Sequence, residues 1–215
     1  MSLSRKLLWF LTVSLLALVI FRVVDATLYS MLPAPVSVLA DVRVTSFLVV
    51  LTLCLAAPSA RAFLSRPTQG PSRRIIALCI LVLSLSFAVP ALTGVGFVSL
   101  PRWQDRIAFH FIGVVNEELL CRGIVLGAAL AVLPRASSTL RQPAVVATTI
   151  VFSLMHIQYH DFTLNSALFA QLLWTIPIGL ALTALAFETR SVWPSVGVHV
   201  GNNLLVGLAE WMTTS

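Results

Sequence analysis

Seven long apolar segments account for most of this 215-residue chain, and they constrain its fold more than any other feature. They span roughly residues 7–24, 36–57, 75–98, 107–133, 144–160, 165–187 and 192–212. A helix needs about 20 apolar residues to cross the hydrocarbon core of a bilayer, and these segments are close to that length. The sequence therefore predicts an all-α, polytopic bundle of about seven transmembrane helices.

The composition agrees with a membrane protein. Hydrophobic residues make up 58% of the chain and charged residues only 10%, against about 25% charged residues in an ordinary soluble domain. These proportions exclude a soluble globular protein, a disordered tail and a nucleic-acid-binding domain. The formal net charge is +6, but the basic residues punctuate the apolar segments. We therefore expect the partner of this charge to be the lipid bilayer and not nucleic acid.

Basic residues concentrate in three of the polar breaks. The three groups are Arg5 and Lys6, then Arg61, Arg66, Arg73 and Arg74, and finally Arg135 and Arg141. With seven spans these breaks lie on one side of the membrane, which the positive-inside rule predicts to be cytoplasmic. Arg102 and Arg106, on the opposite side, weigh modestly against this orientation. The sequence thus predicts a multi-pass protein of the cell membrane with a cytoplasmic N-terminus.

The first apolar segment also resembles a secretory signal peptide, because Arg5-Lys6 precedes an apolar run from Leu7 to Val24. The residues at its end, Val24-Asp25-Ala26, form a poor cleavage site. We therefore expect the segment to be retained as the first span.

Three of the apolar segments contain polar side chains that a bilayer disfavours. An ionisable group at the bilayer centre costs about 2.5–3.5 kcal/mol, so such groups are candidates for function. The fourth segment contains Glu117, Glu118 and Arg122, the fifth contains Phe152 and His156, and the seventh contains His199 and Asn203. These residues form the candidate site.

Helical spacing sorts the charged residues of the fourth segment into two faces. Glu118 and Arg122 are four residues apart, so they are expected to form an ion pair. Glu117 is turned by about 100° from Glu118 and cannot easily reach the same arginine. It is therefore the carboxylate that is left to face another helix.

One carboxylate and two imidazoles can converge in such a bundle. Glu117 and His156 could activate a water molecule by general-base catalysis, while His199 and Asn203 could donate hydrogen bonds to a developing oxyanion. Such a site would perform water-dependent acyl transfer without a serine or cysteine nucleophile. Cys121 lies on the face of Glu117, but a neighbouring carboxylate disfavours its thiolate.

Taken together, these residues resemble the signature of a known family. The three motifs are Glu117-Glu118-x-x-x-Arg122, Phe152-x-x-x-His156 and His199-x-x-x-Asn203. Their order, and their positions in separate apolar segments, are similar to the CPBP family of CAAX-protease and bacteriocin-processing membrane proteins, also called the Abi family. The resemblance covers about residues 100–210. We therefore expect residues 1–100 to form about three N-terminal spans without a signature, and residues 101–215 to form a catalytic core of about four spans.

The resemblance implies an intramembrane glutamate protease, and we expect it to use no metal or other cofactor. It implies that Glu117 is the catalytic base and that His156 assists it in activating water. It also implies that His199 and Asn203 form the oxyanion site. The expected substrates are membrane-associated peptides or protein tails.

The remaining residues of the motifs are expected to support the site structurally. Glu118 and Arg122 would do so as an ion pair, and Phe152 by packing against His156. Cys121 stands where the family usually has an aromatic residue, which alters the packing beside the first motif.

Three alternatives to this reading remain open. Glu117, His156 and His199 could form a zinc site with two histidines and one carboxylate, although the sequence has no H-E-x-x-H helix. A membrane scaffold or a bacteriocin self-immunity protein could bind a peptide in the same cavity without cleaving it. A proton-coupled transporter could use the same ionisable groups, although the sequence has no internal symmetry that would favour one. The sequence does not indicate an oligomeric state.

Overall fold

The fold is all-α, as the sequence predicts. A computed structural model describes residues 3–30, 36–93, 108–133, 136–156 and 166–214, and within these ranges every regular element is helical. The predicted domain boundary near residue 100 lies outside the described residues, as do Arg102, Arg106 and Arg135.

Each of the seven apolar segments corresponds to a long helix. A short α-helix and a 3₁₀ turn, Ala62–Leu64, lie between the second and the third, and a 3₁₀ turn, Thr139–Arg141, lies between the fourth and the fifth. The helices are α1 (Leu3–Ser30), α2 (Val36–Ala56), α3 (Pro58–Arg61), α4 (Arg73–Thr93), α5 (Ala108–Gly113, Val114–Glu118, Leu119–Val125 and Leu126–Val132), α6 (Pro143–His156), α7 (Ser166–Thr189) and α8 (Trp193–Thr214). Proline begins α3 and α6, where its missing N–H costs nothing because the first turn has no partner for it. Arg190, with a left-handed φ of 56°, follows the end of α7 and reverses the chain into α8.

The helix α5 is continuous, but it changes its winding along its length. Its stretches Ala108–Gly113 and Leu119–Val125 are π-helical, and Val114–Glu118 and Leu126–Val132 are α-helical. Almost every side chain from residue 113 to residue 129 is buried, because α1, α2, α3 and α6 pack around this helix. Wide π-helical turns are rare and occur often at functional sites, and here they lie on either side of Glu117 and Glu118, with Arg122 inside the second one.

By length and apolar composition, one helix among the described residues qualifies to cross a membrane, over Leu172–Thr189 in α7. A second qualifies only if Thr45–Ala56 and Pro58–Leu64 are counted as one span, although the chain bends by 100° between them. Leu7–Phe21 and Pro143–His156 are shorter apolar helices. The seven predicted spans therefore stay a prediction.

Three connecting segments meet at one end of the bundle, which we call the loop end: residues 62–72, 137–142 and 188–193. The hydroxyl of Ser191 donates to the carbonyl of Ser65 at 2.7 Å. The hydroxyl of Thr139 donates to Oε1 of Glu188 at 2.8 Å. Two of the three basic breaks of the sequence therefore lie side by side, as they must if both face the same side of a membrane.

Close packing between α5 and the short helix α3 depends on Gly127. A Cβ atom at this position would lie 2.9 Å from the backbone oxygen of Ser59. The backbones of the two helices can approach this closely only because Gly127 has no side chain, which is a common device in membrane helix packing.

Replacing Gly127 by alanine should therefore lower the thermal stability of the protein in detergent. The added methyl group meets a backbone atom that cannot rotate away, and overpacking of this kind costs about 1–3 kcal/mol. Gly197→Ala is the matched control, because a Cβ atom in that helix position meets nothing within 4 Å. Equal melting temperatures for the two variants would contradict the close approach of α3 and α5.

Candidate active site

The first motif forms a fully buried ion pair. Arg122 Nη1 lies 2.8 Å from Glu118 Oε1, in the spacing of four residues that the sequence predicts, and both side chains have 0% exposure. Arg122 Nη2 also donates to the carbonyl oxygen of Gly179 at 3.3 Å. The ion pair and the further acceptor offset part of the cost of burying two charges, although Glu118 Oε2 and Arg122 Nε have no hydrogen-bond partner among the described residues.

The same carboxylate also holds the histidine of the third motif. Glu118 Oε1 lies 2.8 Å from Nδ1 of His199, which α8 brings to α5. A carboxylate oxygen is an acceptor, so the proton of this contact is assigned to Nδ1. In the neutral ring Nε2 is then the unprotonated nitrogen. The spacing of the motifs gave no indication of this link between Glu118 and His199.

Glu117 lies between the two histidines, on the face turned away from Arg122. Its Oε2 is 3.5 Å from Nε2 of His156 and 4.0 Å from Nε2 of His199. The side chain of Glu117 is 15% exposed and that of His156 is 24% exposed, whereas Glu118 and Arg122 are closed off entirely. The structure therefore brings the leftover carboxylate and both imidazoles together, and this is the part of the cluster that small molecules can reach.

The orientation of His156 is also fixed by its own helix. Its Nδ1 lies 2.8 Å from the carbonyl oxygen of Phe152, one turn earlier in α6. A carbonyl oxygen can only accept, so Nδ1 carries the proton and Nε2 is the nitrogen directed at Glu117. The two imidazoles thus present the same nitrogen to one carboxylate oxygen.

This arrangement defines what the cluster can do chemically. Two neutral Nε2 atoms and one ionised carboxylate oxygen are all acceptors, so their contacts become favourable when a proton or the O–H groups of a water molecule lie between them. Counting Glu117, Glu118 and Arg122 as ionised gives one net negative charge, which a single proton neutralises. A site of this kind can take a proton from water and hold it.

Phe152 packs in the middle of these groups. Its ring centroid is 4.3 Å from the ring of His156 and 5.9 Å from that of His199. The guanidinium carbon of Arg122 lies 4.2 Å from the same centroid, at a distance where a cation is attracted to an aromatic face. Phe152 therefore supports the arginine and both histidines, and not His156 alone.

Asn203 follows His199 by one turn of α8. Its amide oxygen accepts a hydrogen bond from Nδ2 of Asn202 at 3.2 Å, and the amide oxygen of Asn202 is bonded to the hydroxyl of Ser86 in α4. Among the described contacts, none joins Asn203 to Glu117 or His156. The NH₂ group is the part of this amide that can donate a hydrogen bond to a substrate.

Cys121 is fully buried beside the site. Its Sγ atom is 3.3 Å from Sδ of Met155 in α6, and its exposed fraction is 0%. The residue that replaces the aromatic group usual in the family therefore packs against a methionine between α5 and α6.

A metal site was the alternative for Glu117, His156 and His199. Over the ranges described, no group of three or more His, Cys, Asp or Glu side chains is arranged to hold a metal ion.

Several residues that contact the site have no motif to reveal them. Gly179 in α7 lies so close to Phe152 that a Cβ atom would be 2.8 Å from Cδ1 of the ring. Phe21 of α1 lies 5.9 Å from the ring of His156. Asn116, next to Glu117, donates to the hydroxyl of Ser46 in α2 at 2.7 Å. A single sequence shows these only as one glycine, one phenylalanine and two small polar residues among many.

Comparison with known proteins finds a family match over the part of the chain that contains the three motifs. A family model described as "Type II CAAX prenyl endopeptidase Rce1-like" matches residues 99–205, about half of the chain. This match contains all three motifs, and it excludes helices α1 to α4. Searches of curated proteins and of solved structures found no match.

Replacing Gly179 by alanine should destabilise the protein through the site. The new methyl group would overlap the ring of Phe152, and displacing that ring disturbs Arg122 and both histidines. We expect a loss of about 1–3 kcal/mol, measured as a lower melting temperature in detergent. Gly207→Ala in α8, where a Cβ atom meets nothing within 4 Å, should melt close to the wild type. A Gly179→Ala protein as stable as the control would contradict the packing described here.

Proposed function

Because the chain belongs to the Rce1-like family of type II CAAX prenyl endopeptidases, we propose that it is an intramembrane endopeptidase. Its substrates would be membrane-associated peptides or protein tails. The observation that carries this proposal is the position of Glu117 Oε2, 3.5 Å and 4.0 Å from Nε2 of His156 and of His199. A carboxylate beside two imidazoles, partly open and otherwise enclosed in an apolar bundle, is suited to activating water.

In the proposed first step, a water molecule between Glu117 and His156 attacks the carbonyl carbon of the peptide bond. Its proton passes to Glu117, and the neutral Nε2 of His156 accepts the second O–H group as a hydrogen bond. One C–O bond forms, and the electron pair of the carbonyl moves to its oxygen. Both acceptors are fixed in direction, which reduces the reorganisation that the step requires.

The resulting oxyanion requires hydrogen-bond donors. The NH₂ group of Asn203 can supply one of them. His199 can supply another from Nε2 only as an imidazolium, because its Nδ1 proton is already directed at Glu118; this form requires one further proton, taken from bulk water before the substrate binds. Glu118, itself bonded to Arg122, is placed to stabilise that cation. This assigns Glu118 the role of a positioning group for His199, in addition to its ion pair.

Breakdown of the tetrahedral intermediate completes the reaction. The C–N bond breaks, its electron pair remains on the nitrogen, and the proton held by Glu117 passes to the departing amine. The products are a carboxylic acid and an amine, and Glu117 returns to its ionised form. No acyl-enzyme is required, which agrees with the burial of Cys121.

The membrane arrangement is part of the proposal. The family is membrane-embedded, and α1, α2, α4, α5, α6, α7 and α8 would be the seven spans. The loop end, with its arginines, would face the cytoplasm. In a cell that prenylates proteins the substrate would be a prenylated tail, and in a cell that does not it would be a leader peptide or a membrane-anchored regulator.

Glu117→Gln should abolish cleavage of membrane peptides by the purified protein while leaving its melting temperature close to the wild type. The amide keeps the size of the side chain but cannot take a proton, and loss of a general base costs about 10²–10⁴-fold in rate. Glu117→Asp keeps the carboxylate and should retain part of the activity. Equal cleavage by wild type and Glu117→Gln would refute the role of Glu117. Unchanged peptide binding, with no cleavage by any form, would favour the scaffold or immunity function.

The chemistry around the base can be tested with one variant and one reagent. Cys121→Ala should retain activity within about threefold, since water and not the thiol is the proposed nucleophile. A membrane-permeant chelator should leave the rate unchanged. Loss of cleavage with the chelator and recovery with added zinc would instead assign the reaction to a metal site.

A further inference from the structure

We propose that a basic cavity at the loop end binds the phosphate group of an anionic phospholipid. The cavity has a volume of about 490 Å³ and lies between the start of α4, the segment before α6 and the end of α7. Its polar lining includes Arg73, Arg74, Ser137, Ser138 and Glu188. It is separate from the candidate active site, because none of its lining residues belongs to the three motifs.

The one acidic residue of the lining is already bound. Glu188 Oε2 accepts the backbone N–H of Ser72 at 2.7 Å. Its Oε1 accepts the hydroxyls of Thr139 at 2.8 Å and of Ser72 at 3.2 Å. Three neutral donors therefore bind this carboxylate, and it holds the three walls of the cavity together.

The two arginines of the lining have no such partner. Among the described residues, neither Arg73 nor Arg74 makes an ion pair, and both are exposed. They are the first two residues of α4, whose first turn contains no acidic residue. Two adjacent cations repel each other, and Glu188, which is bonded to Ser72 at the start of this helix, forms no ion pair with either of them among the described contacts. A bound anion would offset the repulsion between the two arginines.

Phosphate is the anion that fits this lining best. Guanidinium groups bind phosphate oxygens through two parallel N–H donors, and Ser137 and Ser138 can add hydroxyl donors. Leu140, 38% exposed, gives the cavity an apolar edge beside the arginines. A lipid presents its phosphate next to its glycerol and acyl groups, so this combination favours a lipid headgroup over a free ion.

The position of the cavity at the loop end agrees with a membrane lipid as its ligand. Exposed arginines outside the cavity surround the loop end: Arg61, Arg66, Arg141 and Arg190. Basic pockets between helices on the cytoplasmic side of membrane proteins bind anionic headgroups. The proposal does not depend on peptidase activity, although the lipid source depends on the membrane location of the family.

The test uses the full-length protein in a neutral detergent. Binding of dihexanoyl phosphatidylglycerol is measured by titration calorimetry and by native mass spectrometry, beside dihexanoyl phosphatidylcholine and inorganic phosphate. We expect one phosphatidylglycerol per chain, bound about tenfold or more tightly than the other two ligands. The double variant Arg73→Gln, Arg74→Gln should weaken this binding about tenfold or more. The double variant Arg61→Gln, Arg66→Gln removes the same amount of charge from the same basic break, but outside the cavity. It should change the affinity for phosphatidylglycerol by less than about threefold.

Other outcomes overturn the proposal in identifiable ways. If both double variants lose the same affinity for phosphatidylglycerol, the lipid responds to the overall charge and not to a site. If neither variant loses affinity, the lipid does not bind in the cavity. Inorganic phosphate bound as tightly as phosphatidylglycerol would overturn the lipid as its source. If Arg73→Gln, Arg74→Gln does not fold, the double variant Ser137→Ala, Ser138→Ala serves instead. Unchanged phosphatidylglycerol binding in that variant would overturn the assigned lining.

Discussion

The bonds of Glu118 Oε1 to Arg122 and to His199 are the interactions on which the rest of the site depends. One buried oxygen joins the first motif to the third, and the arginine it holds extends to the backbone of α7. Because a carboxylate cannot remain in an apolar interior without such partners, the three helices must meet at this point. Glu117 is oriented as a consequence, because its neighbour Glu118 is held in place by these bonds and fixes the rotation of α5 about its axis.

The sequence predicts the polar cluster well because polar residues are so few. Glu117, His156 and His199 stand out against long apolar segments, and in lipid an ionisable group needs a reason to be present. The structure brings both histidines to Glu117. Segment lengths alone cannot reveal that α5 is π-helical before and after the stretch that carries this glutamate.

What the sequence could not predict are contacts made by ordinary residues. Gly179 matters because it has no side chain where Phe152 passes, and Phe21 because its helix happens to lie against His156. Neither residue type is unusual in an apolar helix, so no pattern marks it. The link between Glu118 and His199 was likewise hidden, because the spacing of four residues already explained Glu118 through Arg122. Contacts between distant segments are fixed by packing, and packing is not periodic in the sequence.

Hydrogen bonds from α2 and α4 connect the N-terminal helices to the region that the family model matches. Asn116 depends on Ser46, and Asn202 depends on Ser86, so the helices that carry no motif supply partners to residues adjoining two of the motifs. The family match marks where the motifs lie, but the hydrogen bonds of the residues next to them extend beyond it. An exchange of N-terminal helices between two such proteins would remove one hydrogen bond from each of these two buried amides. We therefore expect helices α1 to α4 and the motif-bearing region to be inherited together.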